Sequence, residues 1–141
     1  MMREHFLQFA PQKVIPATAI YADCYLNPGN VTKSRMSNYT PIPRKTNCTR
    51  LRVVTRGKWP QSPLSKAYIK VNLLRNGKGL SEGGITFVTR LDVGVVTRHI
   101  TTFPNVEFEV NDTIGIFIQT KYMNNSHLSQ YLSAIVNFDD V

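Results

Sequence analysis

With 141 residues the chain is one domain with one core, long enough to bury roughly 68% of its unfolded surface without a metal or a disulfide. Hydrophobic residues make up 42% and charged residues 18%; no run of eighteen apolar residues occurs, which excludes a spanning helix, and residues 1–10 lack the apolar stretch of a secretory signal. The formal charge is +8, and all of it lies in residues 1–60, where ten Lys or Arg face two acids, while 61–141 holds seven of each sign.

Residues 1–13 read as an extended arm, too short for a core of its own, and 14–141 as a single β-sandwich domain. Phe6 and Phe9 are apolar residues of the arm, which is expected to pack on something, either its own domain or a neighbouring subunit. A strand-like run, 14–26, stops at Asn27-Pro28-Gly29, a strong turn signal. Residues 27–49, with Pro28, Pro41 and Pro43, read as a long loop hiding a short edge strand near Asn38-Tyr39-Thr40. Loops of that length are uncommon inside a domain and often functional.

In 49–56, Leu51, Val53 and Thr55 alternate with Arg50, Arg52, Val54 and Arg56, the period of a half-buried strand. Trp59 follows in a proline-flanked loop and is either a cap on the end of the sandwich or an interface anchor. In 66–75, Ala67, Ile69, Val71 and Leu73 are expected to point inward, and Lys66, Tyr68, Lys70 and Asn72 outward. Asn76-Gly77 is a hairpin turn signal. Strands are expected at 85–91 and 95–103. In 105–110, Val106, Phe108 and Val110 alternate with Glu107 and Glu109; Asn111-Asp112 turns the chain; Ile114, Ile116 and Ile118 alternate in 113–120. The last strand, 131–138, has Leu132, Ala134, Val136 and Phe138 on one face and Tyr131, Ser133, Ile135 and Asn137 on the other. Apolar spacing of helical period is absent. Seven or eight antiparallel strands with regular turn signals make an all-β fold, a two-sheet jelly-roll sandwich with an N-terminal arm.

Residues 67–138, with "RNGKG", "FPNVEFEVNDTIGIFIQT" and the terminal "YLSAIVNF", resemble the jelly-roll head modules of the tumour-necrosis-factor and C1q type found in viral fibre and minor capsid proteins. The likeness covers about half the chain and rests on Asn105–Gln119, a hairpin in such modules. It implies a symmetric assembly and a virion location, with assembly in the host cytoplasm. The chain departs from the fibre-tip form in lacking a collagen-like or coiled stalk, which moves the expectation towards a subunit embedded in a shell or filament.

No catalytic set can be assembled. His5, His99 and His127 are not at metal-ligand spacing from one another or from a cysteine, and no nucleophile elbow or phosphate-binding loop occurs. Glu107 and Glu109 share one strand face and read as solvated. Cys24 and Cys48 read as free thiols of a reducing compartment, with a bridge as the alternative. The expectation is a non-enzymatic subunit with no cofactor and no metal. No acid lies between Asp23 and Glu82, so one region of the surface is strongly positive. Arg50, Arg52 and Arg56 on one strand and Lys66 and Lys70 on another, with Tyr68 among them, form a basic stripe if the two strands are neighbours. With Phe6, Phe9, Tyr39 and Trp59 they are the candidate interface residues. The expected partners are other copies of the chain and neighbouring subunits with acidic faces. A monomeric binding module for nucleic acid or a carbohydrate-like ligand is the alternative.

Overall fold

The computed structural model describes residues 4–14, 21–26, 31–32, 40–59, 67–88, 96–121 and 130–140. They form eleven strands: β1 Glu4–Val14, β2 Tyr21–Leu26, β3 Val31–Thr32, β4 Thr40–Pro41, β5 Thr46–Gly57, β6 Tyr68–Arg75, β7 Lys78–Val88, β8 Val96–Thr102, β9 Val106–Phe108, β10 Thr113–Lys121 and β11 Gln130–Asp140. One sheet runs β1-β11-β5-β8, with β9 beside β5; the other runs β3-β2-β10-β6-β7, with β4 beside β10. Every pairing is antiparallel. The eight long strands alternate between the sheets as a jelly roll does, so consecutive strands mostly lie across the core from one another.

The alternation read in the sequence places the core. Leu51, Val53, Leu132, Ala134 and Val136 come from the first sheet; Ile69, Val71, Leu73, Ile85, Phe87, Ile114, Ile116 and Ile118 come from the second. Phe108 and Phe138 meet edge to face at 6.2 Å and close one end. Each such side chain contributes about 1.5–3 kcal/mol when fully buried.

Five details differ from the sequence reading. The segment 1–13, expected as an arm, is from Glu4 onward the edge strand of the chain's own first sheet, paired along β11. The 27–49 loop is shorter than expected, because β5 begins at Thr46: Thr46 and Cys48 are buried and continue the inward row although the segment looks polar. β7 begins at Lys78, not near residue 85, since Gly83 is an inward-facing strand position where a Cβ would lie 2.6 Å from the Cβ of Leu73. Glycine here permits close packing and does not end the strand. Val110 is exposed, because the chain leaves β9 at Phe108 to cross between the sheets. For the same reason 105–119 is not a hairpin: β9 pairs with β5, and β10 pairs with β2, β4 and β6.

That crossing is tied down by side chains. Asn76 and Gly77 take positive φ angles, 53° and 79°, as a tight hairpin requires. Asn76 donates from Nδ2 to Asp112 Oδ1 at 2.9 Å and accepts at Oδ1 from the Thr113 amide at 2.9 Å. The second Asp112 carboxylate oxygen accepts from the Glu109 amide at 2.8 Å. The Ile42 amide donates to the Asp112 carbonyl at 2.8 Å. Three separate turns are thereby joined at one end of the sandwich.

Two predictions follow from this packing. Ile116→Ala is expected to lower stability by about 2–5 kcal/mol in urea unfolding, and Val110→Ser to stay within about 0.5 kcal/mol. The Asn76 and Glu109 hydrogen bonds hold the Asp112 carboxyl below its ordinary value of 3.8. A depressed acid stabilises the fold above its unfolded pKa and loses that contribution as pH falls through its folded pKa. The stability gap between the natural protein and Asp112→Ala is therefore expected to be constant at neutral pH and to shrink below pH 3.8, followed by thermal melting over an acid series.

Candidate functional site

Because β5 buries Leu51, Val53 and Thr55, its alternate residues must face outward. Arg52 and Arg56 are exposed there, with Arg50 and Val54 partly covered. Register extends this face onto the flanking strands: Arg56 opposes Tyr131 and Thr97, Val54 opposes Ser133 and His99, and Arg52 opposes Ile135 and Thr101. Tyr131 is 46% exposed, and His99 is exposed. Arg50 donates from Nε to Asn137 Oδ1 at 3.3 Å, and the Thr49 hydroxyl donates to the Asn137 carbonyl at 3.3 Å. Those bonds satisfy a polar residue opposite the β5 bulge, where Thr49 is the extra residue and the register shifts between Asn137 and Phe138.

Beyond the bulge the sign of the charge reverses. Asp139 opposes Asn47, and Asn47 opposes Glu107 of β9. Three of the acids here have partners: Lys45 lies 3.7 Å from Glu107 and 3.8 Å from Glu109, and Arg44 lies 3.6 Å from Asp140. The outer face of the first sheet thus has an arginine half and a largely compensated acidic end.

Lys70 and Tyr68 lie elsewhere. β6 belongs to the second sheet, so the single basic stripe conceived from the sequence does not form; alternation gave the outward residues of each strand but not which strands are neighbours. On that second outer face Lys70 Nζ stands 4.7 Å above the Tyr68 ring, and Tyr25 and Phe117 pack at 5.0 Å. Lys121, Gln119 and Asn72 share the face, each in register with β6 or β10.

Trp59 is buried at 2% exposure, so of the two roles left open by the sequence it has the core one. Arg98 covers it. Arg98 sits opposite inward-facing Thr55 on the edge strand β8 and reaches across the sandwich. Its guanidinium lies 5.2 Å from the Trp59 ring and 5.4 Å from the Phe87 ring, and Nη1 donates to the Val88 carbonyl at 2.7 Å. An inward charge on an edge strand also discourages a further strand from adding there. Phe6 and Phe9 pair with Asn137 and Ala134 in register, but their side chains, and all of Tyr39 and Lys66, fall outside the described residues.

Cys24 and Cys48 are both free and buried, one in each sheet. Burial pushes the Cys48 thiol up to about 12, so it is protonated and unreactive in the fold. Among the described residues no group of three or more His, Cys, Asp or Glu is placed to hold a metal ion, and no helix is long and apolar enough to cross a membrane.

No family model matches the chain, and no curated protein does. Among solved structures, a chain of the cryo-EM atomic structure of broad bean stain virus is similar at 13% identity and a TM-score of 0.46, covering 97% of this chain and 84% of that one.

Sequence reasoning missed Arg98, His99 and Tyr131 as parts of these surfaces. Tyr131 was on the outward side of its own strand's alternation, but nothing in the sequence paired it with Arg56. Arg98→Ala is expected to lower stability by about 1–3 kcal/mol and to change the emission of Trp59, the sole tryptophan, in the folded state; urea unfolding followed by fluorescence measures both.

Proposed function

We propose that the chain is a non-enzymatic structural subunit of a larger symmetric assembly, a virion component of the minor capsid, cement or fibre-head kind. The observation that carries this reading is the outer face of the second sheet. Tyr25, Phe117 and Tyr68 are neither buried nor free: each is half-covered and braced by a neighbour, at 5.0 Å for the ring pair and 4.7 Å for Lys70 over Tyr68. Rigid aromatics beside the amides of Asn72 and Gln119 match the aromatic enrichment of protein interface cores, with Lys70 and Lys121 among them on the same face. They lose little side-chain freedom on docking, because the sheet already holds them. The virion assignment rests on the resemblance of residues 67–138 to viral head modules, of which the 105–119 hairpin is not kept.

The mechanism is geometric. The sandwich supplies a stiff block, its second outer face meets a neighbour, and β1, paired along β11, presents the edge of the first sheet. Closed symmetry multiplies contacts that are weak one at a time.

Sedimentation velocity over a concentration series tests the reading. A mass that rises above the monomer with concentration is expected. Phe117→Lys is expected to return the chain to monomer, with a thermal transition retained. A chain that stays monomeric at the highest concentration reached defeats the assembly reading.

A further inference from the structure

The arginine half of the first sheet calls for a partner of its own. Arg52 and Arg56 are exposed on β5, an interior strand of that sheet, where flat surface extends to both sides. They make no hydrogen bond or ion pair among the described residues. The groups around them are Thr97, Thr101, Ser133, His99 and Ile135, placed in register on β8 and β11, with Val54 between the two arginines. Tyr131, 46% exposed, stands directly opposite Arg56. Arg50 to Arg56 spans about 20 Å along the strand, at 3.2–3.4 Å per residue.

Three features decide the chemistry of the partner. Guanidinium groups and hydroxyls in one row are donors suited to phosphate oxygens. An exposed aromatic beside the cations offers a face on which a base can stack whatever its identity. Desolvating several like charges at the centre of a protein interface is costly unless each meets an acid. Of the acids at a second copy's corresponding end, Glu107, Glu109 and Asp140 are already held by Lys45 and Arg44, which leaves Asp139, among the described side chains, to meet three arginines.

We propose that the outer face of the first sheet binds single-stranded nucleic acid: Arg50, Arg52 and Arg56 contact the phosphates, Tyr131 stacks on a base, and His99 borders the track. The acidic end beyond the bulge at Thr49 limits the track on that side. This surface is separate from the aromatic face of the second sheet and functions whether or not the chain assembles.

The test is fluorescence anisotropy with a labelled oligouridine of about 12 nucleotides, a length within the site of one small domain, titrated at several salt concentrations. The natural protein is expected to bind at low salt and to weaken steeply as salt rises. Arg52→Gln with Arg56→Gln is expected to weaken binding at least tenfold and to reduce the salt slope by about 1.4, the value for two lost contacts to a single strand. Tyr131→Ala is expected to weaken it about fivefold or more with the slope unchanged. Lys70→Gln with Lys78→Gln removes the same charge from the other sheet and is expected to change little. All substitutions are at solvent-facing positions, and melting curves verify folding. Equal losses from the arginine and lysine pairs overturn the proposal, because net charge alone then accounts for binding. Absence of binding at low salt overturns it. So does competition by oligoglutamate as effective, charge for charge, as by oligouridine, which assigns the face to an acidic protein.

Discussion

The inner face of β5 dictates what the outer one carries. Leu51, Val53 and Thr55 are fully buried between the sheets, and side chains on a strand alternate. A slip of one residue against β11 would turn Arg50, Arg52 and Arg56 into the core and expose the apolar row. The cost of burying unpaired guanidinium groups excludes that register, and hydrophobic burial favours the observed one. Dryness between the sheets and positive charge outside the first sheet are therefore two consequences of one pattern. The same holds for β10, where Ile114, Ile116 and Ile118 face inward and put Phe117 beside Tyr25 on the other surface.

How far the sequence was legible follows from this. Period-two alternation belongs to one strand at a time, so the inward rows of β5, β6, β10 and β11 could be read directly. Pairing between strands is not local. Nothing in Arg50–Arg56 or Tyr68–Lys70 says that one strand lies between β11 and β8 and the other between β10 and β7. The expected basic stripe failed for that reason, although each residue was correctly turned outward. Glycine misled in another way. Gly83 looks like a strand break, yet it lies inside β7 because Leu73 leaves no room for a Cβ. Thr46 and Cys48 were hidden by the polarity of their segment; a β-branched threonine fills an inward strand position well. Val110 continued a pattern that the chain itself abandons at the crossing between sheets.

Irregularities in the ladders distribute the charge. At Thr49 an extra residue in β5, across from Asn137 and Phe138 of β11, lets the polar Asn137 side chain be buried, held by Arg50. Past that point the face changes from arginine to acid. Both halves are on the same strands, so the sign change reflects sequence and bulge together. Glu107, Glu109 and Asp140 are neutralised by Lys45 and Arg44, which follow β4 in the turn leading into β5, whereas Arg52 and Arg56 have no such ion pair among the described residues. Charge left uncompensated at the centre of a rigid surface creates a field directed outward, and the acidic end gives that field a direction along the sheet.

Arg98 shows why cations in the same sheet have unlike roles. Arg56 and Arg98 belong to adjacent paired strands, yet they lie on opposite faces because their register positions differ by one: Arg56 opposes Thr97, and Arg98 opposes Thr55. Arg98 has two aromatic rings and a carbonyl around it, so its charge is spent inside the fold, closing the open side of the sandwich between β7 and β8. Arg56 has Tyr131 and Thr97 beside it and water above. Composition counts the two residues alike, and only the pairing separates the one that holds the sheets together from the one that is free to hold something else.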